Sequence, residues 1–173
     1  QVVDFGANNG NFSLPFAQKG IQTIAADGDP VAINKLYKKI VTEKISHLIP
    51  LVLDFTNPSP AMGLGNDERP SFYTRTGNAN LGLCLAFIHH LCIGKNIPLQ
   101  RVADLMARSC QQLIIEFVPK EDEKVQALLL LKEDIYPDYT PEQFEQAFSG
   151  YFNIIDSKKI PGASRTLYLM YRK

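Results

Sequence analysis

Short apolar, β-branched runs alternate with helical patterns along most of the 173 residues, and this alternation leaves few folds open to the chain. Strands separated by helices pair in parallel, and the helices cover the resulting sheet. Strand patterns fall near residues 1–5, 21–26, 49–54, 81–87 and 112–118, and helical patterns fit 11–19, 31–45 and 98–109. The tail departs from this rhythm. After helical stretches near 121–131 and 141–148, strands at 151–157 and 166–171 follow one another with only residues 158–165 between them. A parallel crossover needs a dozen or more residues, so these two strands form an antiparallel hairpin.

The expected fold is therefore an α/β doubly wound three-layer sandwich. Its seven-stranded sheet is mostly parallel and ends in an antiparallel C-terminal hairpin. At ~100–200 residues per domain the chain makes one domain, 1–173. It opens without Met and runs straight into an apolar strand, so it reads as truncated at its N-terminus. The segment 55–79 is rich in Pro, Gly and Asn, and its length marks it as an active-site lid or a disordered loop. Leu128, Leu129, Leu130, Leu131, Phe144 and Phe148 read as core or lid packing. The lysines of the second helix (Lys35, Lys38, Lys39, Lys44) spread around its surface and read as a solvated face.

Composition narrows the function. Eighteen basic residues balance eighteen acidic ones, which argues against bulk attraction to nucleic acid or an acidic membrane. No apolar run reaches the ~18–20 residues of a membrane span, and no signal peptide is visible. Cys84, Cys92 and Cys110 are odd in number and contain no CxxC pair, so they suit neither a disulfide framework nor a metal site. They read as reduced core residues of a cytoplasmic protein.

The first strand runs into Asp4-Phe5-Gly6-Ala7-Asn8-Asn9-Gly10. Glycines at the first strand–helix turn let the backbone approach a ligand at the carboxyl edge, where open α/β sheets bind. A dinucleotide site would read G-x-G-x-x-G, whereas here an acid precedes the turn and the spacing is Asp-x-Gly-x-x-x-Gly. Asp4 would repel a pyrophosphate and favour a cationic ligand. Asp27, at the end of the second strand, can accept both hydroxyls of a ribose, with Gly28 leaving room for the sugar. Asp54 ends the third strand, within reach of an adenine amino group in the same geometry. Asn8, at the middle of the turn, suits a positive φ.

These motifs, in this order, resemble the class I S-adenosylmethionine-dependent methyltransferases. Asn80–Leu91, ending His89-His90-Leu91, resembles a segment of that family, as does the parallel sheet closed by a hairpin. Asn57-Pro58-Ser59-Pro60, Glu68-Arg69-Pro70-Ser71 and the run from Glu116 to Asp122 resemble a bacterial, nodulation-related branch of it. The resemblance implies S-adenosylmethionine as cofactor, bound by Asp4, Gly6, Ala7, Asn8, Gly10, Asp27, Gly28, Asp54, Phe55 and Leu85. It implies methyl transfer to a small molecule or saccharide, at oxygen. Where the family commonly carries an acid at the start of the fourth strand, this chain has Asn80.

A hydroxyl acceptor benefits from a general base, and an imidazole suits that task near neutral pH. His89 and His90 follow the fourth strand; opening a helix, they would point about 100° apart, so that at most one meets the pocket. Alternatively, one caps the strand end and the other packs. Glu116, near the end of the fifth strand, orients substrate, pairs with a histidine, or forms an ion pair with a nearby Lys or Arg. Glu68, Arg69 and Arg75 lie in the long loop as candidate substrate contacts or as solvated loop residues. Two rivals remain. A nicotinamide-dependent oxidoreductase shares the glycine turn and second acid but not Asp4 or the final hairpin, and an inactive cofactor-binding module would lack the polar groups near the fourth and fifth strands.

Overall fold

Seven strands lie in one sheet in the order β3-β2-β1-β4-β5-β7-β6. They are β1 (Val2–Phe5), β2 (Thr23–Asp27), β3 (Leu48–Val52), β4 (Ala79–Cys84), β5 (Cys110–Phe117), β6 (Phe152–Lys159) and β7 (Thr166–Arg172). The helices are α1 (Leu14–Gln18), α2 (Pro30–Glu43), α3 (Phe72–Thr76), α4 (Leu99–Ser109), α5 (Glu123–Leu129) and α6 (Pro141–Ser149). This computed structural model describes residues 1–130 and 132–173. Strand β1 pairs in parallel with β2 and β4, and β2 with β3, while β7 pairs antiparallel with β5 and β6. The doubly wound order and the closing hairpin are those expected from the sequence. No helix among the described residues is long and apolar enough to cross a membrane.

The chain divides into two compact units, Gln1–Leu83 with Arg108–Cys110 and Cys84–Ala107 with Gln111–Lys173. In the first, every residue of β1 is buried. Ala7, Leu14, Ala17, Ala25, Leu36 and Leu48 make a core cluster, against which Ile40 and Ile45 pack. Small residues at Ala17 and Ala25 let helix and sheet approach closely. Helix α2 starts where the Asp29 side chain accepts from Val31 N at 2.8 Å, with Pro30 at its first position. Its buried residues Ala32, Ile33 and Leu36 share one face, and Lys35, Lys38, Lys39 and Lys44 are all exposed, as a solvated face requires.

In the second unit the core is aromatic. Phe144 has ring neighbours at Phe117 (5.0 Å), Phe148 (4.5 Å) and Tyr168 (5.0 Å), and Phe117 stacks on Tyr139 at 5.1 Å. The packing expected of 128–131 is only partly present. Helix α5 ends at Leu129, Leu128 and Leu129 are half-buried, Leu130 is 83% exposed, and Leu131 lies outside the described residues.

Two further expectations need correction. Residues 55–79 are not a structureless loop. They hold a 3-10 turn at Leu64–Asn66, an antiparallel bridge between Met62 and Arg69, and α3 with Phe72 buried. Phe72 N donates to Ser59 O at 3.0 Å and Tyr73 Oη to Phe55 O at 3.3 Å, so α3 is fastened back to the start of the segment. The fourth strand also runs 79–84 rather than 81–87, because Ala86 takes a φ of +48° and its amide leaves the ladder. Truncating Phe144→Ala should cost about 3–5 kcal/mol in urea denaturation, whereas Phe12→Ala at an exposed site should stay within about 0.5 kcal/mol. Equal losses would show that the aromatic cluster does not anchor the second unit.

Candidate functional site

The turn after β1 curls through three left-handed residues, Gly6 (φ +80°), Asn8 (φ +49°) and Gly10 (φ +78°). Asparagine occupies the middle position as its tolerance of positive φ allows. Gly10 is required twice over, since a Cβ there would lie 2.7 Å from Leu36 Cδ1. The curl turns its own donors inward. Gly6 N and Ala7 N both donate to Ala26 O (2.9 and 3.0 Å), and Gly10 N donates to Ala7 O at 2.8 Å. Asn8 N donates to Asp27 Oδ2 at 2.8 Å. The amides that a phosphate would need from Gly6, Ala7, Asn8 and Gly10 are therefore already taken.

What the edge offers instead is acceptors. The register pairs Phe5 with Ala26 and Ala26 with Leu51, so the three strands end level, with Asp27 opposite Val52. Asp27 is half-buried; its second oxygen accepts from Asp29 N at 2.8 Å, and each carboxylate oxygen keeps a further lone pair. Gly28 is exposed, and a Cβ there would meet nothing nearer than Leu53 O at 3.7 Å. Asp54 is exposed and its Oδ1 accepts from Thr56 N (2.8 Å) and Thr56 Oγ1 (2.7 Å). Phe55 is buried against Phe5, with ring centroids 5.5 Å apart. Burial, reinforced by the charge of Asp54, pushes the Tyr73 phenol up to about 12.

Asp4 is buried and accepts from Ser13 Oγ at 2.5 Å, which ties the end of β1 to the residue before α1. Burial raises its carboxyl to about 6 from an ordinary 3.8, the Ser13 hydrogen bond pulls it down, and the charge of Asp27 adds to the rise.

The second unit carries His89, His90, Glu116 and Leu85. The two histidines do not diverge. His90 opens a π-helical turn (His90–Gly94), and the two rings lie 4.1 Å apart at an interplanar angle of 37°. A π-turn at this position is the kind of irregularity that clusters at functional sites. His89 is 1% exposed, and both its ring nitrogens lack a hydrogen-bond partner among the described residues. Burial lowers its pKa to about 3, helped by charge on His90 and Arg165 and opposed by Asp122. His89 is a neutral imidazole at physiological pH, and His90 is the exposed ring. Leu85 is half-buried in the turn that precedes them.

Glu116 forms the ion pair that was one of its expected alternatives. Its Oε1 accepts from Arg165 NH1 at 3.1 Å and its Oε2 from Ala86 N at 2.7 Å. Both oxygens are thus engaged in holding structure. Arg165 also forks onto Asp122, with Nε to Oδ2 at 2.6 Å and NH2 to Oδ1 at 3.1 Å. That hydrogen bond is the main cause holding the Asp122 carboxyl below its usual range. Neither Arg165 nor Asp122 stands out in the sequence as a site residue. Arg165 lies in a hairpin connection and meets its partners only through the fold. In the first unit Glu68, Arg69 and Arg75 are exposed and bonded within their own segment: Glu68 accepts from Leu64 N at 3.4 Å, Arg69 faces Met62, and Arg75 donates to Ser59 Oγ at 3.3 Å.

No protein-family model matches the chain. It is 40% identical over 172 residues to the nodulation protein NoeA of Rhizobium meliloti (strain 1021), a match covering 99% of this chain and 36% of that protein. The chain thus spans about a third of the length of the curated relative it matches. Its fold matches the bifunctional kinase-methyltransferase WbdD with a TM-score of 0.67, at 17% identity over 98% of this chain and 34% of that one. It also matches magnesium protoporphyrin IX methyltransferase (ChlM) from Synechocystis PCC 6803, solved with bound SAH, with a TM-score of 0.66 at 15% identity over 99% of this chain and 73% of that one.

Two outcomes follow from the buried charges. Folded Asp4 holds its proton up to about 6 and unfolded Asp4 only to about 3.8, so the folded state binds more protons in that window. Its contribution to stability should fall as pH rises from about 4 to about 6, by up to about 3 kcal/mol, and then level off. Urea titrations of the wild type and Asp4→Asn should therefore show stability profiles that diverge across this window, and parallel profiles would refute the assignment. Arg165→Met should cost about 3 kcal/mol by leaving Glu116 and Asp122 buried without their cation, and Arg165→Lys should recover only part, because an ammonium cannot fork. A loss below about 0.5 kcal/mol would place this network among ordinary surface pairs.

Proposed function

We propose that this chain, a homologue of NoeA with the fold of the class I methyltransferases, binds S-adenosylmethionine and directs methyl transfer to an oxygen of a small-molecule or saccharide acceptor. The observation that carries the cofactor assignment is the donor-poor, acceptor-rich edge of the first unit. With the amides of Gly6, Ala7, Asn8 and Gly10 all consumed, the turn suits a ligand that brings donors and positive charge rather than a pyrophosphate. This disfavours the nicotinamide alternative. A ribose diol fits the lone pairs left on Asp27 and the space over Gly28. Asp54 offers an acceptor for an adenine amino group, and the curled backbone from Gly6 to Gly10 allows close approach of the remainder. ChlM, solved with bound SAH, supports the same reading of a shared fold.

When bound, the cofactor would be held by Asp27, Asp54 and the Gly6–Gly10 turn and would supply an electrophilic methyl group on a sulfonium, with the neutral thioether as its leaving group. The chain's own part is to orient the two groups and accept the hydroxyl proton. His90 is the residue we assign to that proton. It is exposed, whereas His89 is buried with a pKa too low for a base and acts by packing against the His90 ring. Glu116 acts through structure, fixing the turn at Ala86. Leu85, in that turn, and Phe55 complete the apolar cofactor contacts of this reading. In this reading Glu68, Arg69 and Arg75, exposed in the first unit, are substrate contacts. The reading takes residues 1–173 as one domain working in the cytoplasm.

Calorimetry on the intact chain should show saturable binding of S-adenosylmethionine and S-adenosylhomocysteine. Asp27→Ala should weaken both by about 10- to 100-fold, the worth of two charge-assisted hydrogen bonds. A folded chain that binds neither, or binds NADH instead, would sink the assignment.

A further inference from the structure

A cleft of about 330 Å³ opens in the second unit between residues 92–100 and 135–143. No residue so far assigned to cofactor or acceptor chemistry lines it. Its volume sits at the small end of the ~300–1,000 Å³ range of small-molecule sites, enough for a single ring and its water.

The walls combine two kinds of surface. Ile97, Pro98, Tyr136 and Pro137 are apolar and rigid. The Tyr136 hydroxyl is spent on Ile93 O (3.1 Å) and Asn96 Oδ1, and that of neighbouring Tyr139 on Val118 O (2.9 Å), so both present ring carbon rather than a free phenol. Lys132 Nζ donates to Ile93 O (2.8 Å), Gly94 O (3.0 Å) and Asn96 Oδ1 (3.4 Å). That fixes the Asn96 oxygen and leaves its NH2 as a donor. Gln100, Asp138 and Gln143 also line the cleft, and their side chains make no hydrogen bond among the described residues.

Charge and reactivity exclude several occupants. Among the described residues that line the cleft Asp138 alone is formally charged, and its carboxylate repels phosphates and carboxylates. Cys92 stays a thiol, its pKa pushed by burial up to about 12, so no nucleophile or soft metal ligand is on offer. An acyl chain would lie against three amides and a carboxylate without satisfying them. The remaining class has an apolar face and several hydroxyls that both donate and accept.

We propose that this cleft binds a neutral sugar ring. The ring's C–H face lies on Tyr136 and the two prolines, and its hydroxyls bridge Asn96, Gln100, Asp138 and Gln143. This is a binding site that methyl transfer does not itself require, and it stands or falls on its own.

The test is ligand-observed NMR on the intact chain without cofactor, titrating the methyl glycosides of glucose, galactose, mannose and N-acetylglucosamine, with inorganic phosphate and phenol as contrasting probes. At least one glycoside should bind saturably at millimolar concentration, and Asp138→Ala with Gln143→Ala should weaken it about ten-fold, as expected for two hydrogen bonds. Both residues are exposed, so an unchanged melting curve will show that the variant is folded. The proposal is overturned if no glycoside binds, if phosphate or phenol binds in preference, or if the double variant binds as well as the parent. Cofactor calorimetry is read separately, so failure of one assignment leaves the other distinguishable.

Discussion

The carboxylate of Asp27 accepts one amide from each of two turns, Asn8 N beyond β1 and Asp29 N beyond β2. Much of the carboxyl edge of the first unit follows from that pair of hydrogen bonds. It holds Asn8 in the left-handed region, which lets the backbone curl from Gly6 to Gly10 and deliver the chain into α1. It also places the carboxylate beside the start of α2, whose first turn is capped by Asp29. A side chain that could bind ligand alone is thereby made part of the frame, and its orientation is set before any ligand arrives.

The second unit solves a different problem, that of keeping acids in a nearly dry place. Glu116 and Asp122 are both buried, and each would be costly alone. Arg165 bridges the pair with three donors of one planar group, a geometry lysine could not supply. With its remaining oxygen Glu116 holds the Ala86 amide, in a residue that has no glycine to ease its positive φ. The cation in the hairpin connection thus fixes the bend that ends β4.

The fold was legible because its signals are local and repeated. Alternation of strand and helix, the length of the last connection and the glycine turn each constrain a few consecutive residues, and all three reappear in the sheet order. The acid at Asp27 was legible for the same reason. The second unit was harder to read. Glu116 announces itself by charge near a strand end, but its partner Arg165 is brought to it by the β5–β7 pairing, which no local pattern encodes. The close approach of the His89 and His90 rings, 4.1 Å apart beside a π-turn, is marked by no local pattern in the sequence. The segment 55–79 carries loop composition, yet two buried phenylalanines, Phe55 and Phe72, and hydrogen bonds from Phe72 N to Ser59 O and from Tyr73 Oη to Phe55 O tie it down.

The position of β1 between β2 and β4 has a kinetic consequence. Val2 pairs with Thr23, which is close along the chain, but also with Leu81, which is far. At the other side of the sheet, β7 is inserted between β5 and β6, so β6 waits for a strand made after it. Both arrangements charge the entropy of large loops before the contacts that offset it can form. The α2 and β2–β3 region has sequence-local partners and can assemble early, while β1 stays half-paired until residue 79 and beyond arrive. A fully buried strand held open in this way is the part of the chain most in need of protection during synthesis.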